Sequence, residues 1–123
     1  MAEQAFLSVR ASLRPAMSEK EVADDLEYTM RKLGATESSF KAIVGAGPRA
    51  ALPHGIPSSK RLGEESFVLI DWGAKCQGYV SDLTRVLAIG KPGAKFAKIY
   101  KTVLQAQLAA IQAIQPGKSM ESI

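Results

Sequence analysis

The spacing of apolar positions changes period twice along the chain, and each change marks a change of element. Residues 3–13 carry a weak helical pattern that ends at Arg14-Pro15, because a residue preceding proline is driven out of the helical region. A clearer helix follows. Ser18 with Glu21 three positions on forms a capping box, Val22, Leu26, Met30 and Leu33 mark one face, and Gly34 supplies the stop. From Phe40 the pattern shortens to the apolar run Ala42-Ile43-Val44. It then gives way to GAGPRAALPHGIP over 45–57, where glycine and proline forbid long regular structure.

Ser66 to Ala74 is an apolar stretch of strand length, Lys75-Cys76-Gln77-Gly78 reads as a turn, and Tyr79 to Ile89 is rich in β-branched residues. The pair predicts a β-hairpin, closed off by Gly90-Lys91-Pro92-Gly93. Phe96, Ile99, Tyr100, Val103, Leu108, Ile111 and Ile114 then recur at helical intervals up to Pro116-Gly117. The order helix, helix, strand, loop, hairpin, helix predicts an α+β fold with helices packed on one face of a mainly antiparallel sheet.

Composition narrows this only slightly. With 123 residues, 46% hydrophobic and 23% charged, the chain suits one compact domain of modest core. The net charge of +4 is scattered; Lys91, Lys95, Lys98 and Lys101 fall at near-helical spacing, as on a solvated helix face, so no nucleic-acid partner is expected. No apolar run approaches the roughly 20 residues needed to span a bilayer, and MAEQAFLSVR lacks a signal-peptide layout. A lone Cys76 forms no internal disulfide. These features predict a soluble, cytoplasmic protein with no membrane partner.

The candidate chemistry lies in the hairpin. A symmetric turn centred between Cys76 and Gln77 sets Asp71 opposite Asp82, on one face, with β-carbons about 4.5–5.5 Å apart. Opposed like charges destabilise a sheet, and a carboxylate closing the run Phe67-Val68-Leu69-Ile70 is costly to bury unpaired. A divalent cation such as manganese, cobalt or zinc relieves both costs. Thr84, two residues beyond Asp82 on the same face, is placed to orient a ligand by a hydrogen bond. The alternative is a turn or surface Asp71 and a solvated Asp82 paired with Arg85. His54, in Leu52-Pro53-His54-Gly55, is either a surface histidine or one aimed by its rigid turn into a cleft, where imidazole donates to a carbonyl or oxyanion. Gly45-Ala46-Gly47-Pro48 lacks the spacing and lysine of a phosphate loop.

Three segments together are more specific than any of these readings: Ala50-Ala51-Leu52-Pro53-His54-Gly55, Leu69-Ile70-Asp71-Trp72-Gly73-Ala74 and Gly78-Tyr79-Val80-Ser81-Asp82-Leu83-Thr84-Arg85. They closely resemble the Xaa-Pro aminopeptidase, prolidase and methionine aminopeptidase superfamily, the pita-bread hydrolases, with the prolidase and aminopeptidase P branch the nearer match. The resemblance implies two divalent metal ions, with Asp71 a ligand to one and Asp82 bridging both. It also implies a substrate-side role for His54 and a peptide substrate with proline at its second position. The family completes its site with a histidine and two glutamates further along, so residues 1–123 are expected to be a single incomplete catalytic domain, the first half of a pita-bread fold. Such a half is expected to be inactive alone and prone to homodimerise or self-associate through uncovered apolar surface. The competing functions are a non-catalytic binding module of the same fold and a creatinase-like carbon–nitrogen hydrolase that works without metal.

Overall fold

The computed structural model describes residues 1–123, which divide into two compact units, Met1–Lys91 and Pro92–Ile123. The first unit begins with α1 (Ala2–Ser12) and α2 (Glu19–Lys32). In α1, Ala2, Ala5, Phe6 and Val9 are buried, an i, i+3, i+4, i+7 stripe on one side of the helix. The capping box of α2 is formed as its sequence predicts. Ser18 Oγ accepts from Glu21 N at 3.2 Å, and Ser18 N donates to Glu21 Oε2 at 2.7 Å, satisfying donors at the open helix end. Val22, Leu26 and Met30 are buried below it.

Six short strands follow: β1 (Glu37–Ser38), β2 (Ile43–Ala46), β3 (Phe67–Trp72), β4 (Ala74–Cys76), β5 (Tyr79–Val80) and β6 (Leu83–Ala88). They form two antiparallel sheets, ordered β2-β3-β6 and β1-β4-β5. The α+β expectation holds, but the single hairpin does not. Gly73 breaks one arm into β3 and β4, Ser81-Asp82 breaks the other, and the distal half joins β1, a two-residue strand with no apolar pattern to announce it.

Burial alternates along the central strand β3. Val68, Ile70 and Trp72 face inward onto α1 and α2, and Phe67, Leu69 and Asp71 face the other way. Trp72, 1% exposed, stacks on Phe6 with ring centroids 4.5 Å apart, and its indole Nε1 donates to Ala2 O at 3.0 Å. It therefore packs the core, as its position opposite Asp71 predicts. Each large apolar side chain buried here contributes roughly 1.5–3 kcal/mol.

The turn corrects the predicted register. Cys76 pairs with Tyr79, and Gln77 and Gly78 both adopt positive φ, 50° and 83°. A two-residue hairpin turn with left-handed backbone at both centres matches strand twist, and glycine suits its second position. The centre thus lies between Gln77 and Gly78, one residue beyond the expected point. Asp71 consequently faces Thr84, not Asp82.

The second unit contains α3 (Ala94–Ala113), which has no buried residue. Ile99, Tyr100, Val103, Leu104, Leu108 and Ile111 form an exposed apolar stripe along it, and Lys95, Lys98 and Lys101 are exposed as their spacing predicts. No helix of the structure is long and apolar enough to cross a membrane.

Candidate metal centre

Asp71 stands on the middle strand of its sheet, between Ile43 of β2 and Thr84 of β6. The strand continues an inward-facing hydrophobic set, so the carboxylate cannot turn to the core and projects to the opposite face. Asp82 falls in the irregular step between β5 and β6, displaced along the sheet from the opposed position predicted for it. Both carboxylates nevertheless line one cleft of about 430 Å³, with His54 on the same wall system. The two carboxylates share a cleft, but not the directly opposed register that the sequence predicts. Arg85 donates to Thr84 O, and the ion pair with Asp82 that the alternative reading requires is absent.

A local lattice fixes Asp82. Ser39 N donates to Gly73 O at 3.0 Å, Ser39 Oγ to Ser81 O at 2.8 Å, and Ala74 N to Ser81 Oγ at 3.0 Å. The backbone here is so close that a β-carbon on Gly73 would lie 1.9 Å from Ser81 O and 2.1 Å from Ser39 Oγ. Only glycine fits, and the residue after Ser81 is held accordingly.

The electrostatics of Asp71 suit a cation. Burial pushes its carboxyl above the ordinary value of 3.8, and the neighbouring Asp82 pushes the same way, opposed by a hydrogen bond from Thr84. Asp71 Oδ1 is buried with no hydrogen-bond partner. An orphaned buried acceptor is costly, and a second carboxylate close by makes it more so. The two carboxylates fit as part of a hard or borderline metal site. Donors converge only as this pair: no group of three or more His, Cys, Asp or Glu side chains comes together.

His54 is exposed on a turn closed by Gly55 N donating to Leu52 O at 3.2 Å. Phe40, Ile43 and Ile56 give the cleft an apolar lining, and Lys41 adds a cation. Sequence reasoning missed these four. Ile56 had a visible signal, an isoleucine set between Gly55 and Pro57 in an irregular segment where nothing can bury it; it is 79% exposed.

Over the part they share with this chain, known structures have the same α+β, pita-bread arrangement. The Xaa-Pro dipeptidase from Bacillus anthracis superposes with a TM-score of 0.89 at 47% identity, covering 95% of this chain and 33% of its own. The profile of metallopeptidase family M24 matches residues 1–123, and the chain belongs to that family. Among curated relatives, an uncharacterized peptidase, YqhT, of Bacillus subtilis is 41% identical over 117 residues, 95% of this chain and 33% of the relative. The Xaa-Pro dipeptidase of Pyrococcus horikoshii is 39% identical over 126 residues, 100% and 36% respectively. The chain spans about a third of the length of these relatives.

Proposed function

We propose that residues 1–123 are the first part of a dinuclear-metal M24 catalytic domain that cleaves peptides beside a proline, with Asp71 and Asp82 as metal ligands, Thr84 orienting Asp71, and His54 on the substrate side. The observation that carries this is the orphaned, buried Asp71 oxygen beside Asp82 in the cleft that His54 lines. The names of the relatives supply the substrate class, an Xaa-Pro peptide.

In this reading the carboxylates of Asp71 and Asp82 hold divalent ions, manganese first among them, with cobalt and zinc as the other candidates. When bound, such ions supply Lewis acidity toward a carbonyl oxygen and lower the pKa of water. The imidazole of His54 donates to the substrate carbonyl as charge gathers on its oxygen. Phe40, Ile43 and Ile56 offer an apolar wall to a proline ring and keep bulk water from the reacting bond. Two carboxylates are too few donors for two ions, so further ligands come from outside this segment and residues 1–123 alone are inactive. The absence of a disulfide fits a reducing, cytoplasmic setting.

The exposed stripe of α3 supports the same reading, because a helix with no buried residue calls for a cover. Residues 1–123 alone are expected to self-associate through it, and sedimentation equilibrium giving a monomer at high concentration would remove that part. The metal site is tested by calorimetric titration of manganese into this chain and into the Asp71→Ala, Asp82→Ala double variant. Weak binding that the double variant abolishes is expected. Tight binding of two ions, or binding that the variant keeps, overturns the assignment.

A further inference from the structure

Glu19, the first residue of α2, has no exposed surface, yet it is an acid that does not line the cleft. Its carboxylate accepts five hydrogen-bonding contacts from three residues. Ala46 N donates to Oε1 at 2.8 Å, at the end of β2. Ser58 N and Ser58 Oγ donate to Oε2 at 2.9 Å and 2.7 Å. Arg49 Nε lies 3.0 Å from Oε1 and 2.9 Å from Oε2. Ala46 and Ser58 are the two roots of the irregular segment that carries His54, so one buried anion closes that excursion from both sides.

The guanidinium extends the clamp. While Nε engages Glu19, Arg49 Nη2 donates to Ile56 O at 2.7 Å, two residues past His54. The main chain of α2 grips the same segment, with Lys20 N donating to Ser58 O and Glu19 N to Lys60 O, both at 3.0 Å. A rigid, forked cation that bridges a carboxylate and a backbone carbonyl has no lysine equivalent.

We infer that Glu19 and Arg49 are positioning residues for His54, holding its loop against the cleft that Asp71 and Asp82 line. The catalytic meaning of this rests on the role proposed for His54, but the placement itself is measurable without turnover. Preorganising a side chain on a loop requires that the loop be tied to rigid elements, and here the ties run to a helix start and a strand end. A buried charge whose side-chain contacts all go to one loop and its two roots is costly to keep for packing alone, since an apolar side chain fills a core as well.

His54 is the only histidine, so its ring protons give an isolated nuclear magnetic resonance signature. In the full chain, Glu19→Gln is expected to speed amide hydrogen exchange at Gly55 and Ser58, whose N–H groups are hydrogen-bonded in this loop, by roughly tenfold or more, the loss expected from one or two hydrogen bonds, and to shift the His54 resonance. Exchange in β3 and β6 should stay unchanged. Arg49→Lys keeps a cation beside Glu19 but cannot reach Ile56 O as well; it should produce the same local change with the fold intact, and it decides the matter if Glu19→Gln unfolds. Unchanged exchange and an unshifted His54 signal in Arg49→Lys overturn the inference, as does loosening spread evenly over the unit. Failure of His54→Ala to affect peptide hydrolysis by a complete M24 domain carrying this segment would instead sink the catalytic role of His54 and leave the positioning result standing.

Discussion

Asp71 faces Thr84 directly across the β3–β6 ladder, and Thr84 is the one neighbour that draws its carboxyl down against burial and the charge of Asp82. Replacing Thr84 by valine keeps the β-branched shape and removes the donor. Manganese affinity is expected to fall about 10- to 100-fold, as for other groups that orient a ligand. The carboxyl pKa of Asp71 should rise further. Thr84→Ser should restore both, read by calorimetry and by carbon-13 titration of the Asp71 carboxyl.

Without metal, the same carboxylate weakens the fold. Its folded pKa lies above the ordinary 3.8, so the native state binds the proton more tightly than the unfolded chain does. Below about pH 3.8 both states are protonated and nothing is lost; as pH rises through the window from there to the folded pKa, stability drains away. Asp71→Asn removes the repulsion. The metal-free variant is expected to be more stable than the parent by about 1 kcal/mol near pH 7, the gap closing toward about pH 3.5. Urea unfolding at the two pH values checks it, and the variant should bind manganese less well than the parent.

Gly73 occupies the closest backbone approach in the unit. A methyl group there would meet Ser81 O and Ser39 Oγ well inside contact distance, and the obstacle at Ser81 is main chain that cannot rotate away. Gly73→Ala is expected to cost about 3 kcal/mol or more. It should also move Asp82, so manganese binding should fall in whatever fraction stays folded. Thermal unfolding followed by circular dichroism gives the first quantity and calorimetry the second.

These residues also show what a sequence discloses. The capping box of α2 and the alternation of β3 were legible because each is set by neighbours three or two positions apart, and both were found as expected. The hairpin register was not, since it depends on whether the left-handed pair is Cys76-Gln77 or Gln77-Gly78, and a one-residue choice moves every partner by two. Asp71 and Asp82 still line one cleft, because a shift of the partner by two positions does not change the face a strand residue looks to. β1 stayed hidden because its pairing with β4 is long-range and its two residues are polar. Glu19 was hidden for a different reason: an acid in the first turn of a helix ordinarily faces solvent and favours the dipole, and nothing local tells that this one is buried.

Glu19 carries the opposite pH signature to Asp71. Burial alone would raise its carboxyl, but the hydrogen bonds from Ala46, Ser58 and Arg49 together outweigh it and hold the group below the ordinary 4.5. A lowered folded pKa means that the contribution is complete above about pH 4.5 and is lost as pH falls through the folded value. Glu19→Gln leaves the shape intact but removes the charge that four donor groups of three residues address, and losing a hydrogen bond to a charged group costs about 1.5–3 kcal/mol. The variant is therefore expected to be less stable than the parent by that order near pH 7, with the difference shrinking below pH 4.5, whereas the Asp71→Asn difference has the reverse sign. A difference for Glu19→Gln that stayed constant from about pH 7 to about pH 3 would mean that packing, not the anion, joins α2 to the His54 loop.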